Sequence, residues 1–314
     1  MGSEFSLSTQ AKQVAVITGA GRGIGRSHAL AFAAANARVV VNDLGVTYAG
    51  TREGPSPADA VVEEIRARGG EAVADYNDVA SWSGAEGLLA TALNAFDRVD
   101  VLVNNAAIVR PAMITDVSEI DLDEIMRVNI KGTFGPTRCF AEHWANQAAK
   151  HSKPDAAIIC TTSRVGLRGT PYYAVYGLTK AAVASLVEAA AAEFEQYGIR
   201  VNGIAPRAAT RMMGDAMRRV VELGGEAGLT AVFAGGRSRP PAGADQEEPE
   251  SISPLVVWLA SAHASFVSGR IFSVMGGRIA LLDGMRERHA VLLPARHSTD
   301  DVERVLGPLL RADQ

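Results

Sequence analysis

An α/β fold built on one doubly wound, seven-stranded parallel sheet is predicted by three features of this sequence. Short runs rich in Val and Ile alternate with longer Ala-rich stretches from Val14 to about Gly276. The apolar runs are nearly continuous, as expected of parallel strands covered by helices on both faces. A glycine-rich turn stands between the first strand and the first helix, where sheets of this kind place a ligand loop.

The elements follow in order. Strands are expected at Val14–Thr18, Arg38–Asn42, Glu71–Asp75, Val101–Asn104, Ala156–Thr161, Arg200–Ala205 and Ile271–Val274. Helices are expected between them at Ile24–Ala35, Ala58–Arg68, Ser81–Phe96, Leu122–Lys150, Tyr173–Tyr197 and Pro254–Ser261. This rhythm describes a single domain over residues 6–277. Residues 1–5 read as a cloning remnant, and residues 278–314 form a C-terminal extension with an amphipathic run at Asp300–Leu310. Residues 224–250 are rich in Gly and Pro and end in an acidic run, so composition suits either a mobile substrate lid or a plain insertion.

Composition narrows the function classes. Basic and acidic residues nearly balance, at 31 and 35, which leaves no electrostatic footprint for nucleic acid. Apolar runs read as strand-sized or broken by charge, so no membrane partner is expected, and without a leader pattern the expected location is cytoplasmic. The two cysteines, Cys139 and Cys160, fall in segments read as buried helix and buried strand. Neither they nor the isolated histidines show metal-ligand spacing, and no metal is implied. Trp82, Trp144 and Trp258 read as helix packing residues.

Three signals carry chemistry. In Thr18-Gly19-Ala20-Gly21-Arg22-Gly23-Ile24-Gly25, glycines let the backbone turn tightly and approach a pyrophosphate, which free N–H groups at the helix start then meet. The second strand ends at Asp43, where a carboxylate can accept from an adenosine ribose diol and repel the extra phosphate of NADP. Asp43 is equally a good turn-former before Leu44-Gly45, and Arg22 can pair with a phosphate, which keeps NADP open. Tyr176 and Lys180 share a helix face at i and i+4, with Ser163 thirteen positions upstream of the tyrosine. A phenol stabilised as phenolate by an ammonium can exchange a proton with a substrate oxygen while hydride moves to or from a nicotinamide.

With these residues in view, the chain resembles a classical short-chain dehydrogenase/reductase from about Lys12 to Gly277: the TGxxxGxG turn, Asn104-Asn105-Ala106, Asn129, Ser163 and the YxxxK pair stand in that family's order. The resemblance implies a Rossmann-like fold binding NAD in preference to NADP. It makes Asn129, Ser163, Tyr176 and Lys180 the catalytic group, with Asn129 supporting a proton relay from Lys180. It adds Asp78 and Val79 at adenine, Asn105 and Ala106 along the cofactor cleft, and Pro206 and Thr210 over the carboxamide, beside Gly19, Arg22, Gly23, Ile24, Gly25 and Asp43. Arg164, Val165, Arg207, Met212 and Met213 are the expected substrate contacts. Two departures stand out: Ala107 replaces the family's usual glycine, and Arg207 replaces the glycine after Pro206.

A narrower resemblance, in Val39–Gly45, Val61–Gly70 and Ile204–Met212, is to the dehydrogenase domain of peroxisomal multifunctional enzymes and to actinobacterial hydroxyacyl-CoA and hydroxysteroid dehydrogenases. It implies a small-molecule substrate such as a 3-hydroxyacyl-CoA or a steroid or terpenoid alcohol, and a homodimer or homotetramer. The alternatives are a biosynthetic ketoreductase working with NADPH and a non-catalytic cofactor-sensing protein.

Overall fold

The computed structural model describes residues 12–46, 55–150, 153–234, 248–283 and 298–312. Residues 1–5, read as a cloning remnant, and residues 284–297 and 313–314 of the C-terminal extension lie outside them. Eight strands form one sheet in the order β3-β2-β1-β4-β5-β6-β7-β8. They are β1 (Val14–Thr18), β2 (Arg38–Asn42), β3 (Glu71–Asp75), β4 (Val101–Asn104), β5 (Ala156–Thr161), β6 (Ile199–Pro206), β7 (Ile271–Met275) and β8 (Arg278–Leu282). The first seven are parallel and β8 is antiparallel to β7.

The eighth strand is an addition to the seven expected. Gly276 and Gly277 close a two-residue hairpin in which Met275 pairs with Arg278, and Gly276 sits at φ 53°. Such a turn needs residues that accept positive φ, and a Gly-Gly pair supplies them. The sheet thus takes its last strand from the segment read as a tail. Residues 283–314 form a separate compact unit, and among its described residues a helix, α10, spans Thr299–Ala312.

The strands sort their side chains by alternation. Ala15, Ile17, Val39, Val41, Val101, Val103 and Ile159 face one core with α1 (Gly23–Ala34), α2 (Pro57–Ala67) and α9 (Ser253–Ala260). Val14, Val16, Val40, Leu102, Ile158 and Cys160 face the other, with α3 (Trp82–Phe96), α5 (Gly132–Lys150) and α7 (Ala174–Phe194). Trp144 is fully buried there and donates its indole N–H to Val99 O at 2.9 Å. Trp82 departs from its expected packing role: it is exposed and stacks on Phe134 with centroids 6.2 Å apart. Cys160 is buried as expected, while Cys139 is only partly buried.

Helix starts are set by side chains that satisfy orphan N–H groups. Ser81 accepts from Gly84 N at 2.9 Å ahead of α3, and Ser118 accepts from Asp121 N at 3.1 Å ahead of α4 (Glu119–Met126). The single helix expected at Leu122–Lys150 begins earlier and is interrupted by a π turn at Arg127–Lys131. Segment Ala174–Tyr197 is, by length and composition, long and apolar enough to cross a membrane, contrary to the reading that no stretch qualifies. Half of it is buried in the protein, where Val183, Val187 and Ala190 pack on the sheet.

One long helix was not expected. α8 covers Arg211–Ala234, so the first part of the 224–250 segment is helical, and residues 235–247 lie outside the described residues.

Candidate active site

The strand order reverses between β1 and β4, and the loops leaving these two strands open a crevice at their carboxyl ends, the place where doubly wound sheets bind ligands. The glycine turn lies on its floor. Gly19 (φ 61°) and Gly23 (φ 53°) adopt conformations that disfavour a side chain. A Cβ on Gly25 would come within 2.2 Å of Gly19 O, and one on Gly19 within 2.8 Å of Ala106 Cα. The backbone of the turn is therefore bare, and α1 begins without a side-chain cap on its N–H groups. Those free donors fit a diphosphate. Arg22 is exposed at the start of α1, and Ile24 packs on the core beneath it.

Asp43 serves the turn: its Oδ2 accepts from Gly21 N at 2.9 Å and its Oδ1 from Gly45 N at 2.8 Å. Asn105 does not point into the cleft: its Nδ2 donates to Thr18 O at 3.0 Å and Gly19 O at 3.1 Å. Thr18 Oγ1 accepts from both Asn105 N and Ala106 N at 3.0 Å. Thr18 and Asn105 together lock the β4 loop to the glycine turn. Ala106 closes over that turn, its methyl 3.3 Å from where a Cβ on Gly19 would stand.

Val79 is buried in the core, and Asp78 turns its carboxylate to Arg127, whose Nη1 donates at 2.7 Å. Arg127 also grips Glu124 through two hydrogen bonds, and these carboxylates push its guanidinium pKa further up. Sequence reading passed over Arg127 because an arginine inside a helix carries no motif; it ties the β3 loop to the π turn that holds Asn129.

Asn129 is fully buried and fully occupied. Its Oδ1 accepts from Ile108 N at 2.8 Å, and its Nδ2 donates to Ile108 O at 2.9 Å and Thr179 Oγ1 at 3.1 Å. The side chain clamps the loop after β4 rather than reaching Lys180. Lys180 donates instead to Thr161 O at 2.7 Å, which fixes it at the end of β5.

Ser163, Tyr176 and Lys180 are brought together. Ser163 follows β5 and caps the short helix α6 (Arg164–Leu167), accepting from Val165 N at 3.3 Å. Its hydroxyl hydrogen-bonds the Tyr176 phenol. The Lys180 ammonium lies 5.6 Å from the centre of the Tyr176 ring, and Tyr173 meets that ring edge-on at 6.4 Å. Burial dominates the electrostatics: it pushes Tyr176 up to about 12, against the bond from Ser163, and brings Lys180 down to about 8. In the protein alone the phenol is thus a proton donor at neutral pH.

On the far side of the crevice, Thr210 touches the glycine turn, with its Cγ2 3.4 Å from where a Gly23 Cβ would stand, and its Oγ1 caps α8 by accepting from Met213 N at 3.2 Å. Pro206 ends β6, and Arg207 N donates to Val274 O at 2.9 Å. Met212 and Met213 are exposed, as is Arg164. Val165 belongs to an apolar cluster with Val109, Tyr173, Ala216, Val220 and Val232, against which Tyr172, Tyr176, Met217 and Leu229 pack. The α8 members of this cover lie in the stretch from Met212 to Glu250 that the sequence assigns to substrate specificity, and the run Met213, Ala216, Met217, Val220 carries the helical spacing that identifies them individually.

Residues 13–219 match the family described as short chain dehydrogenase. The chain is 35% identical over 280 residues to mouse peroxisomal multifunctional enzyme type 2, an alignment covering 89% of this chain and 34% of that protein. It therefore spans about a third of the length of that enzyme. Hydroxyacyl-CoA dehydrogenase ChsB1 of Mycobacterium tuberculosis is 33% identical, with 86% of this chain and 79% of that protein covered. The crystal structure of a short chain dehydrogenase from Mycobacterium avium superposes with a TM-score of 0.79 at 42% identity, covering 95% and 94% of the two chains. The chain belongs to the short chain dehydrogenase family and is an oxidoreductase.

Proposed function

We propose that the chain oxidises a bulky apolar secondary alcohol with NAD, a 3-hydroxyacyl-CoA being the favoured class ahead of a steroid or terpenoid alcohol. The carrying observation is the Tyr176 phenol, hydrogen-bonded by Ser163 and set beside the buried Lys180 ammonium under an apolar cover. A bound nicotinamide supplies the hydride acceptor. Ser163 holds the substrate hydroxyl, and Tyr176, drawn toward phenolate by Lys180, takes its proton as the carbinol hydrogen leaves as hydride. In the reverse direction Tyr176 returns the proton to the carbonyl oxygen. Asn129 shapes the site by holding the Ile108 loop and Thr179, the residue preceding Lys180.

Substrate class is supported by the apolar lining and by the relatives named for hydroxyacyl-CoA and peroxisomal multifunctional activities. NAD is favoured because the Asp43 carboxylate stands at the end of β2, where an added 2′-phosphate would meet like charge.

The test is titration of wild type and Asp43→Ala with NADH and NADPH, followed by nicotinamide fluorescence at fixed salt. The expected outcome is NADH binding at least about tenfold tighter in wild type, with the ratio collapsing in the variant. Equal or tighter NADPH binding by wild type contradicts the assignment and favours a reductive role. Initial rates on 3-hydroxydecanoyl-CoA and on a hydroxysteroid then separate the two substrate classes.

A further inference from the structure

The segment leading into the catalytic helix contains a residue in an unusual backbone state. Tyr172 lies at φ 66°, a left-handed conformation that bulky residues rarely adopt. Its carbonyl accepts from Ala112 N at 3.0 Å, and Tyr173 N donates to Thr170 O at 3.1 Å, so the turn is pinned on both sides. The phenol of Tyr172 meets α8 at two glycines four residues apart. A Cβ on Gly224 would stand 2.1 Å from the Tyr172 hydroxyl oxygen and 2.9 Å from Cζ, and one on Gly228 would stand 3.2 Å from the same oxygen. Only glycine leaves room for the ring at the first position.

Between these two, Gly225 adopts φ 56°, ψ −151°, a region open essentially to glycine alone, and breaks α8 into two arms. Both arms reach the cluster around Tyr176: Ala216, Met217 and Val220 from the first, Leu229 and Val232 from the second. Glycine is the poorest ordinary helix former, and three of them within five residues serve α8 badly as a helix. Their placement is explained by what they admit.

We propose that Tyr172 is a positioning residue that selects substrates by size: keyed into the Gly224–Gly228 seat, its phenol sets how closely the second arm of α8 approaches Tyr176. That distance fixes the space for the apolar chain flanking the reacting carbon. The proposal rests on the reading of Tyr176 as the acid/base group beneath α8. It assigns the glycines of this segment to steric accommodation of one aromatic ring.

The experiment uses the full chain as wild type, Gly224→Ala, Tyr172→Phe and the double variant, with NAD and two probes, 3-hydroxybutyryl-CoA and 3-hydroxydecanoyl-CoA. Gly224→Ala is expected to raise KM for the longer probe about tenfold while leaving kcat and the shorter probe's KM nearly unchanged. The double variant, which removes the atom at 2.1 Å, is expected to recover most of that loss. Equal losses on both probes, no loss in Gly224→Ala, or a double variant no better than the single one overturns the proposal. Hydrogen exchange across residues 216–232 with NADH bound reads the seat even if wild type turns over neither thioester, an outcome that would sink the substrate class alone. Faster exchange in Gly224→Ala, restored in the double variant, supports the seat, and unchanged exchange overturns it.

Discussion

The two sides of the crevice are held by different forces. On the β1–β4 side, side chains bond backbone: Thr18 and Asn105 fix the β4 loop to the glycine turn, Asp43 ties that turn to Gly45, and Asn129 clamps Ile108. On the β5–β6 side, an apolar helix covers a small titratable group whose side chains are bonded by Ser163 and Thr161. Directional bonds fix atoms to within a few tenths of an ångström, whereas apolar packing fixes volume and shape. The first side is suited to one unvarying cofactor. The second accepts a change of substrate with little cost to the chemistry, while its buried charge makes it the less stable half.

Lys180→Met sharpens this contrast most. Reduction of a ketone probe should fall by about 10²- to 10⁴-fold as Tyr176 loses its cation. The same substitution should stabilise the protein by about 3 kcal/mol at pH 7, because burial lowers Lys180 from 10.5 to about 8 and the folded state carries that penalty. The sign follows from proton binding: between about pH 8 and 10.5 the unfolded chain holds the extra proton, so wild type gains stability as pH rises through this window and the variant does not. Urea unfolding at pH 7 and pH 10 checks both statements.

His28 offers the matching test on the cofactor side. It is buried in α1, its Nδ1 is 2.9 Å from Ser253 Oγ, and burial pushes it down to about 3. The unfolded chain takes up this proton first, so stability is lost as pH falls below about 6.5. A loss of about 2 kcal/mol between pH 7 and pH 5 is expected in thermal unfolding, and a flatter profile in His28→Asn.

The smallest effect concerns the reacting pair. Burial brings Lys180 down to about 8 beside the Tyr176 ring, so the cation that supports the phenol is lost above that pH. Ketone reduction keeps its phenolic donor, which burial holds up to about 12, but loses that cation, so initial rates are expected to decline as pH rises above about 8.

These two sides also differed in how far the sequence revealed them. The glycine turn was legible because close backbone approach admits few residue types, and five of the seven strands matched residue for residue because each centres on an apolar run bounded by polar residues. The catalytic helix was legible through the i, i+4 spacing of Tyr176 and Lys180. α8 was not, because Gly224, Gly225 and Gly228 read as a flexible composition until the ring that occupies them is seen. Arg127 and the inward turn of Asn105 were equally hidden, since each depends on a partner far away in sequence. β8 was legible in principle from Gly276-Gly277 and was passed over.

The most direct test of the account is single-turnover hydride transfer by Tyr176→Phe with NADH and a ketone probe. The account predicts cofactor binding close to wild type and transfer slowed by about 10²- to 10⁴-fold, since only the phenolic proton is removed. Transfer at the wild-type rate would show that the proton comes from elsewhere and that the Ser163–Tyr176–Lys180 group is not the reacting centre.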